Sequence, residues 1–127
     1  MDKKLKDSLS KIKLLICDID GVLTDGSFIK STSGEELRSF NALDGVGFVV
    51  LRLLDLNVKT AWITGRESLT TTQRAEELQI DDVYNGVIRK IDAYNELKKK
   101  YELSDSEVCF IGAVSYTHLR AHETPAN

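Results

Sequence analysis

Two carboxylates one residue apart, Asp18 and Asp20, directly follow the run Leu14-Leu15-Ile16-Cys17 and precede Gly21. Four apolar or near-apolar residues in a row read as a central strand of a parallel sheet, covered on both faces. Asp18 and Asp20 then stand at its carboxyl end, the edge where open α/β sheets bind ligands. Two carboxylates converging there suit a hard cation such as Mg²⁺, and with it phosphoryl transfer. Thr64-Gly65-Arg66 follows a second apolar run, and Lys90 follows the Asn85-Gly86 turn, both at or just beyond strand ends on the same edge. A hydroxyl, an ammonium and a guanidinium can there converge on one phosphate. Alone, each is ordinary: D-x-D caps loops, Thr-Gly turns the chain, and a lysine at a helix start is usually solvated. Their order along one chain makes the combination specific. A calcium loop starting at Asp18 is excluded, because Ile29 stands where the bidentate glutamate belongs.

The elements that must position these groups follow from periodicity. Residues 2–11 read as a short charged helix and 12–17 as the first strand. Residues 26–40, GSFIKSTSGEELRSF, carry a Ser33-Gly34 turn between two short segments and predict a β-hairpin standing off the sheet. Val46, Val49, Val50, Leu53 and Leu54 are spaced for one buried helix face, with Asp44 as N-cap. Residues 58–64 form the next strand, 68–78 a helix, 80–84 a short strand, 91–101 an amphipathic helix with a basic end, and 108–112 a further strand. Strands alternating with helices predict an α/β fold: a doubly wound, three-layer parallel sheet with a hairpin insert. Phe28, Ile29, Leu37 and Phe40 give that hairpin an outward apolar content that a partner subunit would cover.

At 127 residues, 42% of them hydrophobic, the chain has the length and core content of one domain. A net charge of −3 without a long basic block argues against nucleic acid or an anionic membrane surface as partner. The opening MDKKLKDSLSKIK has no apolar core and is unlike a signal peptide, and no segment is long enough to span a bilayer. Cys17 and Cys109 each sit in an apolar run, as buried thiols of a reducing, cytoplasmic protein do.

Residues 113–127, AVSYTHLRAHETPAN, break with this pattern. Residues 113–124 match one reading frame of a common DNA-sequencing adapter, so the expectation is a domain over 1–112, incomplete at its carboxyl end, followed by a non-native tail. His118 and His122, four apart, could otherwise be taken for a zinc pair on one helix face. They are the only histidines, and without them carboxylates must carry the chemistry.

Taken together, DIDGVLTDG, ITGR, a lysine after NGVIR and a strand ending in Ile-Gly resemble the haloacid dehalogenase superfamily of phosphatases, over residues 12–112. The GSFI hairpin, GEELRSF, NALDGVG and ITGRES resemble its small capless branch that acts on 3-deoxy-D-manno-octulosonate 8-phosphate. The resemblance implies a Rossmann-like fold and release of phosphate from that sugar acid, for lipopolysaccharide biosynthesis. Asp18 would be the nucleophile, passing through an aspartyl-phosphate, and Asp20 the general acid and base. Mg²⁺ would be held by the Asp18 carboxylate, the Asp20 backbone carbonyl and a later acid. Thr64, Gly65 and Lys90 would bind the phosphate, and Arg66, whose fork suits planar anions, the substrate. Hairpins of the resembled family build a homotetramer and cover a neighbour's site. The chain departs from the pattern after its last strand: Gly-Asp-Asp is required, and Gly112 is followed by Ala113 and Val114. The chain as written is therefore expected to bind Mg²⁺ poorly.

Two other classes compete. One is a phosphatase for a nonulosonate 9-phosphate, or the phosphatase-like domain fused to sialic-acid cytidylyltransferases. The other is non-catalytic: an oligomerisation partner, or a receiver-type signalling domain. A receiver keeps its acceptor aspartate on a middle strand after an early acidic pair, whereas here D-x-D-G and the hairpin come first.

Overall fold

A computed structural model describes residues 2–112; the expectations for residues 113–127, the His118–His122 pair among them, lie outside the described residues. In chain order the elements are α1 (Lys3–Leu9), β1 (Leu14–Asp18), β2 (Ile29–Lys30), β3 (Glu36–Leu37), α2 (Ala42–Leu53), β4 (Lys59–Ile63), α3 (Leu69–Leu78), β5 (Asp82–Tyr84), α4 (Lys90–Tyr101), a 3₁₀ turn (Asp105–Glu107) and β6 (Val108–Ile111). Four strands form one parallel sheet in the order β5-β4-β1-β6. The chain moves outward from β1 through β4 to β5, then returns across the sheet to place β6 on the other side of β1. This reversal at β1 makes its carboxyl end the topological switch point, where such sheets hold ligands.

Alternation along the strands builds two cores. Leu14 and Ile16 of β1 join Ala61 and Ile63 of β4 against Ile91, Tyr94 and Leu97 of α4. Leu15 and Cys17 face the other way, toward Trp62, Phe48 of α2, and Ala75 and Leu78 of α3. The result is the expected three-layer, doubly wound α/β arrangement. Helix ends carry ordinary signals: Gln79 and Glu102 close α3 and α4 in left-handed backbone, and Lys98, Lys99 and Lys100 sit in the last turn of α4. The hairpin is a separate two-stranded antiparallel sheet, turned at Gly34, whose φ of +93° suits glycine.

Three local expectations are corrected. Asn41, not Asp44, caps α2, its side chain accepting the Leu43 N–H at 2.8 Å; Asp44 lies in the first turn, where a negative charge still complements the helix end. The buried face of α2 is Gly45 and Phe48, with Val49 packed beside them, while Val46, Val50, Leu53 and Leu54 are exposed. Packing overrides periodicity here, because Phe48 meets Trp62 edge-on at 5.7 Å and Gly45 lies against Arg74 and Leu78 of α3. An added Cβ at Gly45 would come within 3.4 Å of Leu78 and collide with the end of Arg74 at 2.5 Å. Finally, Phe40 is not outward: it stacks on Trp62 at 5.9 Å, leaving Phe28, Ile29 and Leu37 exposed on the hairpin.

Burial, with smaller contributions from Cys109, Asp44 and Asp18, pushes the Cys17 thiol up from its ordinary 9.0 to about 12. A raised folded value means the neutral thiol stabilises the fold fully below pH 9, and that contribution is lost as pH rises from 9.0 toward about 12. Cys17→Ala should therefore lose less stability than the parent across that alkaline interval, measured by chemical denaturation at successive pH values. Parallel losses in the two chains would contradict this.

Candidate active site

The first strand delivers a carboxylate into the interior. Asp18, the last residue of β1, is only 4% exposed. The chain then turns sharply: the backbone N–H groups of Val22, Leu23 and Thr24 all bond to the Ile19 carbonyl. The Thr24 hydroxyl accepts from the N–H of Gly21 at 3.4 Å and of Gly26 at 3.1 Å. Gly21 and Gly26 have φ of +85° and +90°, which the tight loop requires of glycine. Ile19 is buried as the anchor of this turn, and Asp20 emerges beyond it, half-exposed.

Lys90 opens α4 and reaches back to the end of β1. Its Nζ donates to both Asp18 oxygens, at 2.7 Å and 2.6 Å. A buried carboxylate without a partner costs several kcal/mol, so this ammonium is what makes Asp18 tolerable as an anion. Thr64 is set by register, because Ile63 pairs with Asp18 and the next residue must lie at the same edge. Thr64 is buried, its N–H donates to the Tyr84 carbonyl at 2.9 Å, and its carbonyl accepts from Val87 at 3.0 Å. Its hydroxyl accepts the Arg66 N–H at 3.2 Å and keeps a proton to donate. Gly65 is under no demand from the protein itself, since an added Cβ would meet only the Val87 carbonyl at 3.5 Å.

Arg66 lies over the Phe28 ring at 4.0 Å and donates to Glu36 at 3.2 Å. Arg66, expected to face the substrate, is thus already paired with a hairpin residue at the site. Sequence reasoning missed the next link. Arg38, just after β3, donates from Nε to Asp20 Oδ1 at 3.0 Å and from Nη2 to Glu36 at 3.4 Å. The signal was present in GEELRSF: in an extended segment Glu36 and Arg38 share a face opposite Leu37. The hairpin therefore stands off the sheet yet reaches into the site through its polar face.

Among the described residues no cluster of three His, Cys, Asp or Glu could hold a metal ion. The Asp18 carboxylate and the Asp20 backbone carbonyl offer hard oxygen donors, and Mg²⁺ is commonly held by one or two carboxylates with further oxygens from waters and phosphate, so the donor chemistry fits that ion. The third acid of the expected pattern would fall outside the described residues.

A solved structure from Legionella pneumophila, assigned to subfamily III A of the haloacid dehalogenase superfamily, superposes with a TM-score of 0.79 at 39% identity, over 86% of this chain and 59% of that one. The chain has the fold of the haloacid dehalogenase superfamily and is similar in sequence to this member of it. Within it, the relatives are 3-deoxy-D-manno-octulosonate 8-phosphate phosphatases: the Yersinia pestis protein is 41% identical over 81% of this chain and 54% of its own length. The Escherichia coli K12 protein is 37% identical over 80% of this chain and 53% of its own length. The phosphatase of that name from Moraxella catarrhalis, solved with a magnesium ion, a phosphate ion and KDO, has a TM-score of 0.81 at 33% identity, over 88% of this chain and 63% of that one. The chain thus spans about half the length of the curated relatives it matches. No protein-family model matches the chain.

The Asp18–Lys90 pair should behave as a strongly coupled unit. Removing the cation alone, as Lys90→Met, should cost about 3–5 kcal/mol by leaving a buried unpaired charge. The double variant Asp18→Asn/Lys90→Met should recover much of that loss, and a double-mutant cycle from urea unfolding reads the coupling. Additive effects would mean the pair is not formed.

Proposed function

We propose that the chain carries the phosphoryl-transfer site of a Mg²⁺-dependent phosphatase that converts 3-deoxy-D-manno-octulosonate 8-phosphate to KDO and phosphate, in the cytoplasm and for lipopolysaccharide biosynthesis. The observation that carries this reading is the buried Asp18 carboxylate at the switch point of the sheet, with both oxygens on Lys90 and Thr64 at the adjoining strand end. In this reading an Asp18 oxygen attacks phosphorus as the bond to the sugar oxygen breaks, giving an aspartyl-phosphate. Asp20 gives its proton to the departing alkoxide, then takes one from the water that attacks phosphorus, freeing phosphate and restoring Asp18. Lys90 and Thr64 hold the phosphoryl oxygens, with Gly65 letting the backbone approach, and Arg66 faces the sugar acid. A Mg²⁺ ion held through Asp18 and Asp20 would offset the charge between two anions.

Exposed Ile29 and Leu37 on the hairpin, with Leu43, Val46, Val50 and Leu53 on α2, support a homotetramer built around residues 26–40. Free thiols at Cys17 and Cys109 support a reducing compartment. Ala113 and Val114 in place of two aspartates support weak Mg²⁺ binding by this sequence.

Phosphate release from the 8-phosphate should be slow, dependent on added Mg²⁺ and abolished by chelator. Asp18→Asn should remove it, and Thr64→Val should lower it about 100-fold, as losing one donor to a transition-state oxygen does. Release that survives Asp18→Asn, or proceeds in chelator, would overturn the reading. A 9-phosphate nonulosonate assayed alongside tests the rival substrate.

A further inference from the structure

Arg38 is the most buried cation of the site, its side chain 1% exposed, and it has no place in the phosphoryl-transfer roles given above. Its Nε is committed to Asp20 Oδ1 at 3.0 Å and its Nη2 to Glu36, while Nη1 is buried without a hydrogen-bond partner. Stability does not account for such an arrangement. Desolvating a guanidinium roughly cancels its attraction to a carboxylate, and an orphan buried N–H adds a further penalty. Asp20, with 29% of its side chain exposed, could be satisfied by water alone. What water cannot do is hold the carboxylate in one orientation.

The surroundings are built to fix that guanidinium. Phe28 lies 5.4 Å from Arg38 and 4.0 Å from Arg66, and Glu36 accepts from both arginines, one on each carboxylate oxygen. A hairpin residue is thus packed and hydrogen-bonded onto a carboxylate eighteen positions earlier in the chain. With Oδ1 occupied by Nε, Oδ2 is the oxygen left to exchange a proton.

We propose that Arg38 is a positioning residue that fixes the Asp20 carboxylate for proton transfer to the leaving oxygen. This rests on the phosphatase reading. Its signature is dependence on the leaving group, because an alkoxide must be protonated as it departs and p-nitrophenolate need not be. The full chain, Arg38→Met and Arg38→Lys are compared on the sugar-acid 8-phosphate and on p-nitrophenyl phosphate, with kcat/KM reporting the step that forms the aspartyl-phosphate. Arg38→Met should lower kcat/KM about 10–100-fold for the alkyl ester, the scale of a misplaced acid, and only a few-fold for the aryl ester. Arg38→Lys should recover part of the alkyl-ester loss. Equal losses on both esters, or none, would overturn the role of Arg38 and leave the phosphatase reading standing.

A second measurement needs no turnover. The Arg38 Nε–H resonance should exchange slowly with solvent and shift in Asp20→Asn. A fast-exchanging, unshifted resonance overturns the positioning proposal, whereas a protected Nε–H in a chain that hydrolyses neither ester overturns the phosphatase reading instead.

Discussion

A carboxylate sealed in at the end of a central strand imposes a condition on the rest of the chain: a cation must be brought to it. In this protein the cation is Lys90, whose Nζ bridges both Asp18 oxygens. The condition explains the winding. The segment after β5 must turn at the carboxyl edge so that the first residue of α4 faces β1, and α4 must then cross the sheet on the face covered by Leu14, Ile16, Ala61 and Ile63. The same turn ties the Thr64 backbone to Tyr84 and Val87, so the hydroxyl and the ammonium are fixed by one connection. An ion pair that adds little net stability thereby sets where two site groups stand.

The hairpin completes this arrangement from a different direction. It contributes few backbone hydrogen bonds of its own, and its short strands could not persist alone. It is held by contacts to the site: Arg38 on Asp20, Glu36 between two arginines, Phe28 against Arg66, and Phe40 stacked on Trp62. Its opposite side presents Ile29 and Leu37 to solvent. One small insert thus has a polar face turned to the chemistry and an apolar face turned outward.

Much of this was legible in the sequence, for reasons that differ by element. The strands were legible because burial on both faces leaves an unmistakable apolar run, and strand ends then located Asp18, Thr64 and Lys90 without knowledge of contacts. The face of α2 was not, because its sequence offers two apolar stripes and only the aromatic partner at Trp62 chooses between them. Nothing in the sequence chooses Asn41 over Asp44 as the cap of α2, because both types cap well and only geometry separates them. Arg38 escaped because a basic residue in a surface hairpin reads as solvated, and its partner lies across the chain rather than along it.

Asp18, held by Lys90 at the switch point, is the phosphoryl acceptor we propose. Beryllofluoride mimics an acyl-phosphate on a carboxylate, and fluorine NMR reports its capture without requiring turnover. With Mg²⁺ present, bound fluoride resonances should appear in the parent chain and in Asp20→Asn, and vanish in Asp18→Asn. Bound resonances that persist without the Asp18 carboxylate, or that are lost with Asp20 alone, would contradict the account.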